Sequence, residues 1–243
     1  MPLKIDIYSV MKNEIVLLPY FLRHYEQFAD RIFIWDDGST DGTRDMAIKH
    51  PKVIILPLYQ KLDNEYMFKT LFIQYRVISR GIADWAMCVD ADEFIYHPQL
   101  LSVLEKCKIE KKKKIRCEGF TMFTSNPPTS NNQIYDEIKI GLPCFYSNKP
   151  VVFNPNVDMN WNHGAHSEVW KRKGIRLHKN TGIKLLHYRY LGEEYYISKR
   201  NRNNVTLNPG WDPRKKHLLP DGTKNFDLRW FREKMKEAVN VVD

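Results

Sequence analysis

The chain has 243 residues, 43% of them hydrophobic and 28% charged, a balance that builds a sizeable core and excludes wholesale disorder. Its 38 Lys and Arg against 29 Asp and Glu leave a net charge of +9, which suits phosphorylated substrates, nucleic acid or an anionic membrane without choosing among them. Cys88, Cys107, Cys117 and Cys144 form no CxxC pair, no apolar run reaches the ~20 residues of a membrane span, and no leader-like segment opens the chain, so reduced thiols and a cytoplasmic location are expected.

Residues 4–10 alternate like a strand. Between 13 and 28, Leu18, Phe21, Leu22, Tyr25 and Phe28 recur at helical spacing, with Pro19 suited to a first turn. A short apolar strand over 31–35 ends in a polar, glycine-rich loop over 36–43, where Asp41 is a fitting N-cap for a helix to about His50. Residues 53–58 read as a buried strand, 66–80 as a helix on the face Phe68, Leu71, Phe72, Tyr75 and Ile78, and 85–89 as another strand. A helix is expected over 99–107, a solvated lysine turn over 111–114, a strand over 115–123 and a loop over 125–133. Strands are expected again near 150–153, 168–171 and 182–190. A basic helix follows over 193–205, a proline- and glycine-rich stretch over 208–225, and a last amphipathic helix over 226–239.

Alternating strands and helices predict an α/β fold with a mostly parallel sheet flanked by helices, and such sheets bind ligands at the carboxyl ends of their strands. Three polar clusters fall at strand ends: Lys12-Asn13-Glu14, Asp36-Asp37, and Asp90 through Glu93. Carboxylates on alternate positions, Asp90 and Asp92, are hard oxygen donors suited to Mg²⁺ or Mn²⁺ shared with a substrate's phosphates. Lys199, Arg200 and Arg202 on the basic helix are cations able to neutralise a diphosphate leaving group.

The series MKNE, DDGSTDGT and DWAMCVDADEF, followed by GAHS and LLHYRYLGEEYYISKR, resembles GT-A glycosyltransferases of the family-2-like group with an Asp-x-Asp-Glu-Phe signature, over roughly residues 3–205. The resemblance implies a GT-A, Rossmann-like single domain over 1–243. Its nucleotide-binding half would cover 1–97, a smaller acceptor-side half 98–205, and an extension with a helix 206–243. It further implies that Met11, Asn13, Glu14, Asp36 and Asp37 hold the nucleoside, that Asp90 and Asp92 hold metal and ribose, and that His187, after the strand ending at Leu186, completes the metal site. The activity implied is transfer of a sugar, with inversion, from a UDP- or GDP-sugar to a glycan or lipid-linked acceptor such as a bacterial surface polysaccharide or lipopolysaccharide.

Inversion by one displacement needs a general base near the acceptor hydroxyl. By region Glu168 is the first candidate and Asp158 the second, and His166 is placed to touch phosphate or acceptor. The basic residues Lys171, Arg172, Lys173, Lys199, Arg200, Arg202, Arg214, Lys215 and Lys216 suggest peripheral attachment to the inner face of an anionic plasma membrane. A nucleotidyltransferase would share the fold but carry a glycine-rich basic loop after the first strand, unlike Met11-Lys12-Asn13-Glu14. No nucleic-acid motif is present, so no nucleic-acid partner is expected, and a non-catalytic sugar-binding module has no need of both aspartates.

Overall fold

The computed structural model of the chain describes residues 2–59, 71–161, 177–195, 199 and 228–242. In chain order its first half contains β1 (Ile5–Met11), α1 (Leu18–Tyr25), β2 (Arg31–Asp36), α2 (Thr43–Ala47), β3 (Val53–Leu56), a 3₁₀ turn (Phe72–Gln74) that runs into α3 (Tyr75–Ile78), and β4 (Trp85–Cys88). The remainder contains β5 (Glu93–Tyr96), α4 (Leu100–Ile109), β6 (Lys114–Ile115), β7 (Glu118–Thr124), α5 (Ile134–Glu137), β8 (Ile140–Pro143), a 3₁₀ turn (Phe145–Ser147), β9 (Val152–Phe153), β10 (Leu177–His178), β11 (Lys184–Leu191), α6 (Leu228–Glu237) and β12 (Val239–Asn240).

The fold is α/β, with a mixed, mostly parallel central sheet of order β10-β6-β9-β4-β1-β2-β3. Strands β4, β1, β2 and β3 pair in parallel, while β9 runs antiparallel to both β4 and β6. Both faces of this sheet are covered over β1, β2 and β4, which is why those strands are apolar on both sides. Strand β3, expected to be buried, is an edge strand that leaves Ile54 exposed. On one face Ile5, Ile7, Ile32, Ile34, Trp85 and Met87 join the core that includes α1 residues Leu18, Phe21 and Tyr25. On the other, Tyr8, Phe33, Trp35, Ala86 and Cys88 pack with Phe72, Tyr75 and Trp161. The period-2 alternation of each strand decides which residue goes to which core.

The second sheet, of order β12-β8-β7-β11-β5, was not anticipated as a separate layer. The expected strand over 115–123 is two strands: Lys114 and Ile115 belong to the central sheet, and after Arg116 and Cys117 the chain enters the second sheet at Glu118. The lysine turn over 111–114 likewise needs correcting at its end, because Lys114 is buried and its ammonium reaches the Asp158 carbonyl at 3.2 Å. Strand β5 escaped notice because Glu93 to Tyr96 directly follows the polar turn after β4. It turns back to pair with β11, with Phe94 and Ile95 fully buried. The strand at 182–190 is β11; it does not stop at His187 but continues to Leu191, with a register shift between His187 and Tyr190. Helix α2 ends at Ala47, short of His50, and its N-cap is Gly42 rather than Asp41, whose carboxylate accepts the Thr43 amide at 2.9 Å from one residue further out. The proposed strand over 168–171, the start of the helix over 66–80 and the stretch over 208–225 lie outside the described residues.

Candidate active site

The acidic turn follows β4, and its shape is set by local hydrogen bonds. The Glu93 amide donates to the Asp90 carbonyl at 3.0 Å, closing a four-residue turn with Ala91 and Asp92 at its centre. The Glu93 side chain closes it a second time, its Oε2 accepting the Asp90 amide at 3.2 Å. Burial of Phe94 and Ile95 in β5 carries Glu93 inward, to 1% exposure. Pairing of β5 with β11 sets His187 opposite Glu93, and the Tyr188 amide donates to the Asp92 carbonyl at 2.8 Å.

That register brings together residues far apart in sequence. His187 Nε2 lies 3.2 Å from Asp92 Oδ2. Lys199 Nζ lies 3.0 Å from the same oxygen and 3.0 Å from Glu14 Oε1, while the Tyr195 hydroxyl donates to Glu14 Oε2 at 3.4 Å. On the other side of the turn Lys149 Nζ sits 2.6 Å from Glu93 Oε1 and 3.6 Å from Asp90 Oδ2. Each aspartate therefore shares a lysine with a glutamate. Four carboxylates, those of Glu14, Asp90, Asp92 and Glu93, thus converge with Lys149 and Lys199 at the end of β4.

The electrostatics follow from those neighbours. Burial alone would raise the Asp92 pKa, but Lys199 and then His187 outweigh it and hold the carboxyl well below the ordinary range. Burial works against the Lys199 and Lys149 ammonium groups too, and the carboxylates around each reverse the effect, so both stay charged. Loss of hydration, then Glu93, raises Asp90, with Lys149 opposing; because its side chain is 42% exposed, solvent softens that rise.

Asp92 and His187 are donors of the kind that could hold a divalent ion; in this structure they hydrogen-bond each other, and Lys199 stands on the same carboxylate oxygen. Two cis ligands of an octahedral ion at ~2.1 Å lie about 3 Å apart, and the Asp92–His187 separation matches that spacing. No group of three side chains able to hold a metal ion occurs among the described residues.

The loops after β1 and β2 form the adjoining wall. Asn13 has a left-handed backbone (φ 54°); its amide donates to Ser39 Oγ at 2.9 Å and its side chain accepts the Thr40 amide at 2.7 Å. Asp37 is held by Lys12 at 2.9 Å. The Met11 side chain is core, and its carbonyl accepts the Asp37 amide, so it meets the loop only through its backbone. Asp36 Oδ2 accepts the Ser39 amide at 3.2 Å, whereas its Oδ1 is buried and has no hydrogen-bond partner among the described residues. Strands β2 and β4 flank β1, so the Asp36 and Asp90 ends stand about 10 Å apart at ordinary strand spacing.

Asp158 is engaged by Arg80 and by Arg76, the latter at 3.5 Å, in an ion-pair cluster that includes none of the acidic-turn residues. His166, Glu168, Arg200 and Arg202 lie outside the described residues, as do Lys171, Arg172, Lys173, Arg214, Lys215 and Lys216. Lys149 and Tyr195 were missed by sequence reasoning. Nothing local marks Lys149; the one signal was Glu93 itself, a carboxylate ahead of the apolar pair Phe94-Ile95 that needs a buried cation. No described helix is long and apolar enough to cross a membrane.

No family model matches the sequence, and no curated protein matches it. Among solved structures, S. aureus TarS in complex with UDP-GlcNAc is similar over 79% of this chain and 60% of that one, at 10% identity and a TM-score of 0.43. The same protein with UDP matches over 63% and 47%, at 12% identity and a TM-score of 0.38. Glucosyl-3-phosphoglycerate synthase from Mycobacterium tuberculosis, solved with Mn²⁺, UDP and glucosyl-3-phosphoglycerate, matches over 49% and 44%, at 18% identity and a TM-score of 0.34. In each case this chain spans less than two thirds of the other's length, and similarity at this level assigns no function.

Proposed function

We propose that the chain is a GT-A-type glycosyltransferase that binds a UDP- or GDP-sugar with Mn²⁺ or Mg²⁺ and passes the sugar, with inversion, to a glycan or lipid-linked acceptor. One observation carries the reading: just past the carboxyl end of the parallel strand β4, Asp92 meets His187 at 3.2 Å, beside Lys199 and Glu14. Asp36 Oδ1, about two strand spacings away and without a hydrogen-bond partner among the described residues, supports it. A nucleoside diphosphate laid across that edge would meet both.

Asp92 and His187 would hold the ion, which when bound neutralises the diphosphate and stabilises the departing group. Asp36 Oδ1 accepts a hydrogen bond from the nucleoside, and Asn13 keeps the neighbouring loop in shape. Lys199 adds a fixed positive charge beside Asp92 while it tethers Glu14. Glu168 and His166 remain the proposed base and acceptor-side residues, with Arg200 and Arg202 beside the diphosphate, and membrane attachment through the basic C-terminal third is proposed with them.

The test is incubation of the protein with UDP- and GDP-sugars and Mn²⁺. Slow, metal-dependent release of free nucleoside diphosphate is expected. Release of pyrophosphate from a nucleoside triphosphate plus a sugar phosphate would instead identify a nucleotidyltransferase, and silence in both assays with retained nucleotide binding would identify a non-catalytic binder.

A further inference from the structure

Lys149 belongs to none of the motifs that suggest a donor site, yet it is built into one. It precedes Pro150 and β9, and its backbone is fixed where the chain enters the central sheet between β6 and β4: the Cys117 amide donates to the Lys149 carbonyl at 3.0 Å and the Cys88 amide to the Val151 carbonyl at 3.1 Å. From that anchored position the side chain, 7% exposed, reaches under the acidic turn. Its ammonium holds Glu93 Oε1 at 2.6 Å, and the other oxygen of the same carboxylate holds the Asp90 amide at 3.2 Å. The contacts run from Lys149 to Glu93 to the first residue of the turn whose third residue is Asp92, and a longer ion pair of 3.6 Å joins Lys149 to the Asp90 carboxylate itself.

We propose that Lys149 is a positioning residue for the donor site: acting through Glu93, it holds the turn over 90–93 in the shape that places Asp92 against His187. The inference rests on the reading of Asp92 and His187 as the site of a divalent ion and a diphosphate. A buried ion pair is a poor device for stability alone, since a well-packed apolar pair of similar volume does as well or better. This one spends both oxygens of Glu93, one on a fixed cation and one on the turn, and so transmits the position of β9 to the acidic loop. Lys149 does not reach Asp92 directly, for Lys199 and His187 occupy that carboxylate.

The experiment measures Mn²⁺-dependent binding of UDP and of GDP by calorimetry, and Mn²⁺ occupancy by electron paramagnetic resonance. It uses the unaltered protein, Lys149→Met, Glu93→Gln and the double variant. Orienting partners of metal ligands characteristically contribute about tenfold or more to metal affinity. Lys149→Met should therefore weaken Mn²⁺-dependent nucleotide binding about tenfold or more, with metal-free nucleotide binding held within about twofold. Glu93→Gln, close in volume to the native residue, should weaken it in the same direction, and the double variant should be little worse than the poorer single one, because the two act in series. A Lys149→Met protein that melts earlier but keeps its Mn²⁺-dependent affinity would overturn the proposal, leaving Lys149 a structural counter-ion. If that variant does not fold, Glu93→Gln decides alone: unchanged affinity refutes the series. Failure of the unaltered protein to bind either nucleotide with Mn²⁺ would instead refute the donor-site reading on which the inference stands.

Discussion

Asp92 carries the heaviest electrostatic load in the cluster, with one oxygen shared between His187 and Lys199. Asp92→Asn keeps the volume and removes the charge, so the fold should survive while Mn²⁺-dependent nucleotide binding falls by about a hundredfold, the loss of a direct charged ligand being larger than that of its orienting partners. His187→Ala should cost less, and raised Mn²⁺ should partly restore binding. Calorimetry with and without Mn²⁺ checks both. Asp36 separates from this pair in kind: its unpartnered oxygen faces no described cation, so Asp36→Ala should weaken nucleotide binding by about fivefold even without metal, the scale of one lost hydrogen bond of ~1 kcal/mol. Equal affinity of Asp36→Ala and the unaltered protein would remove Asp36 from the nucleoside site.

At the scale of elements, β7 of the second sheet is held against the 3₁₀ turn over Phe145–Ser147 by close backbone approach. A side chain at Gly119, in β7, would place its Cβ 2.2 Å from the Ser147 carbonyl carbon, within the 3₁₀ turn just before Lys149. The Gly119 amide also donates to Asn148 Oδ1 at 2.6 Å, so the strand cannot retreat without losing that bond. Gly119→Ala should destabilise the protein by about 1–3 kcal/mol, the range for overpacking a tight contact. A reduced urea midpoint at unchanged slope is the expected result. The same element explains why Lys149 was invisible beforehand: its role depends on β9 lying antiparallel beside β4, a pairing of two residues from each strand that no periodicity in 150–153 announces.

At the scale of the whole molecule, stability should depend on acid through His24, on α1. Its ring is buried among Tyr25, Phe28, Phe94 and Tyr135, its Nε2 lies 3.0 Å from the Ile95 carbonyl, and Nδ1 has no partner among the described residues. Burial pushes its pKa down to about 3, with the Ile95 carbonyl opposing weakly. The folded-state value lies below the unfolded one, so below about pH 6.5 the unfolded chain binds the extra proton. Its contribution is therefore complete above that pH and is lost as pH falls toward 3, at about 1.4 kcal/mol per unit. Urea titrations at pH 7 and pH 5 should show this loss in the unaltered protein and a smaller one in His24→Leu; equal losses would place the acid sensitivity elsewhere.

What the sequence determined by itself was the succession of strands and helices through β4 and the three polar strand ends, because side-chain periodicity and turn chemistry are local and act before any tertiary contact forms. Asp90 and Asp92 were legible as carboxylates of one polar strand end for the same reason. The tertiary structure alone decided that Ile115 and Glu118 part into different sheets, that β5 turns back onto β11, and that Lys149 and Lys199 close on the acidic turn from opposite sides. Those outcomes depend on which strands pair and in what register, and pairing between residues 56 or 185 positions apart, as in Glu93 with Lys149 and Glu14 with Lys199, leaves no mark on the sequence near either partner.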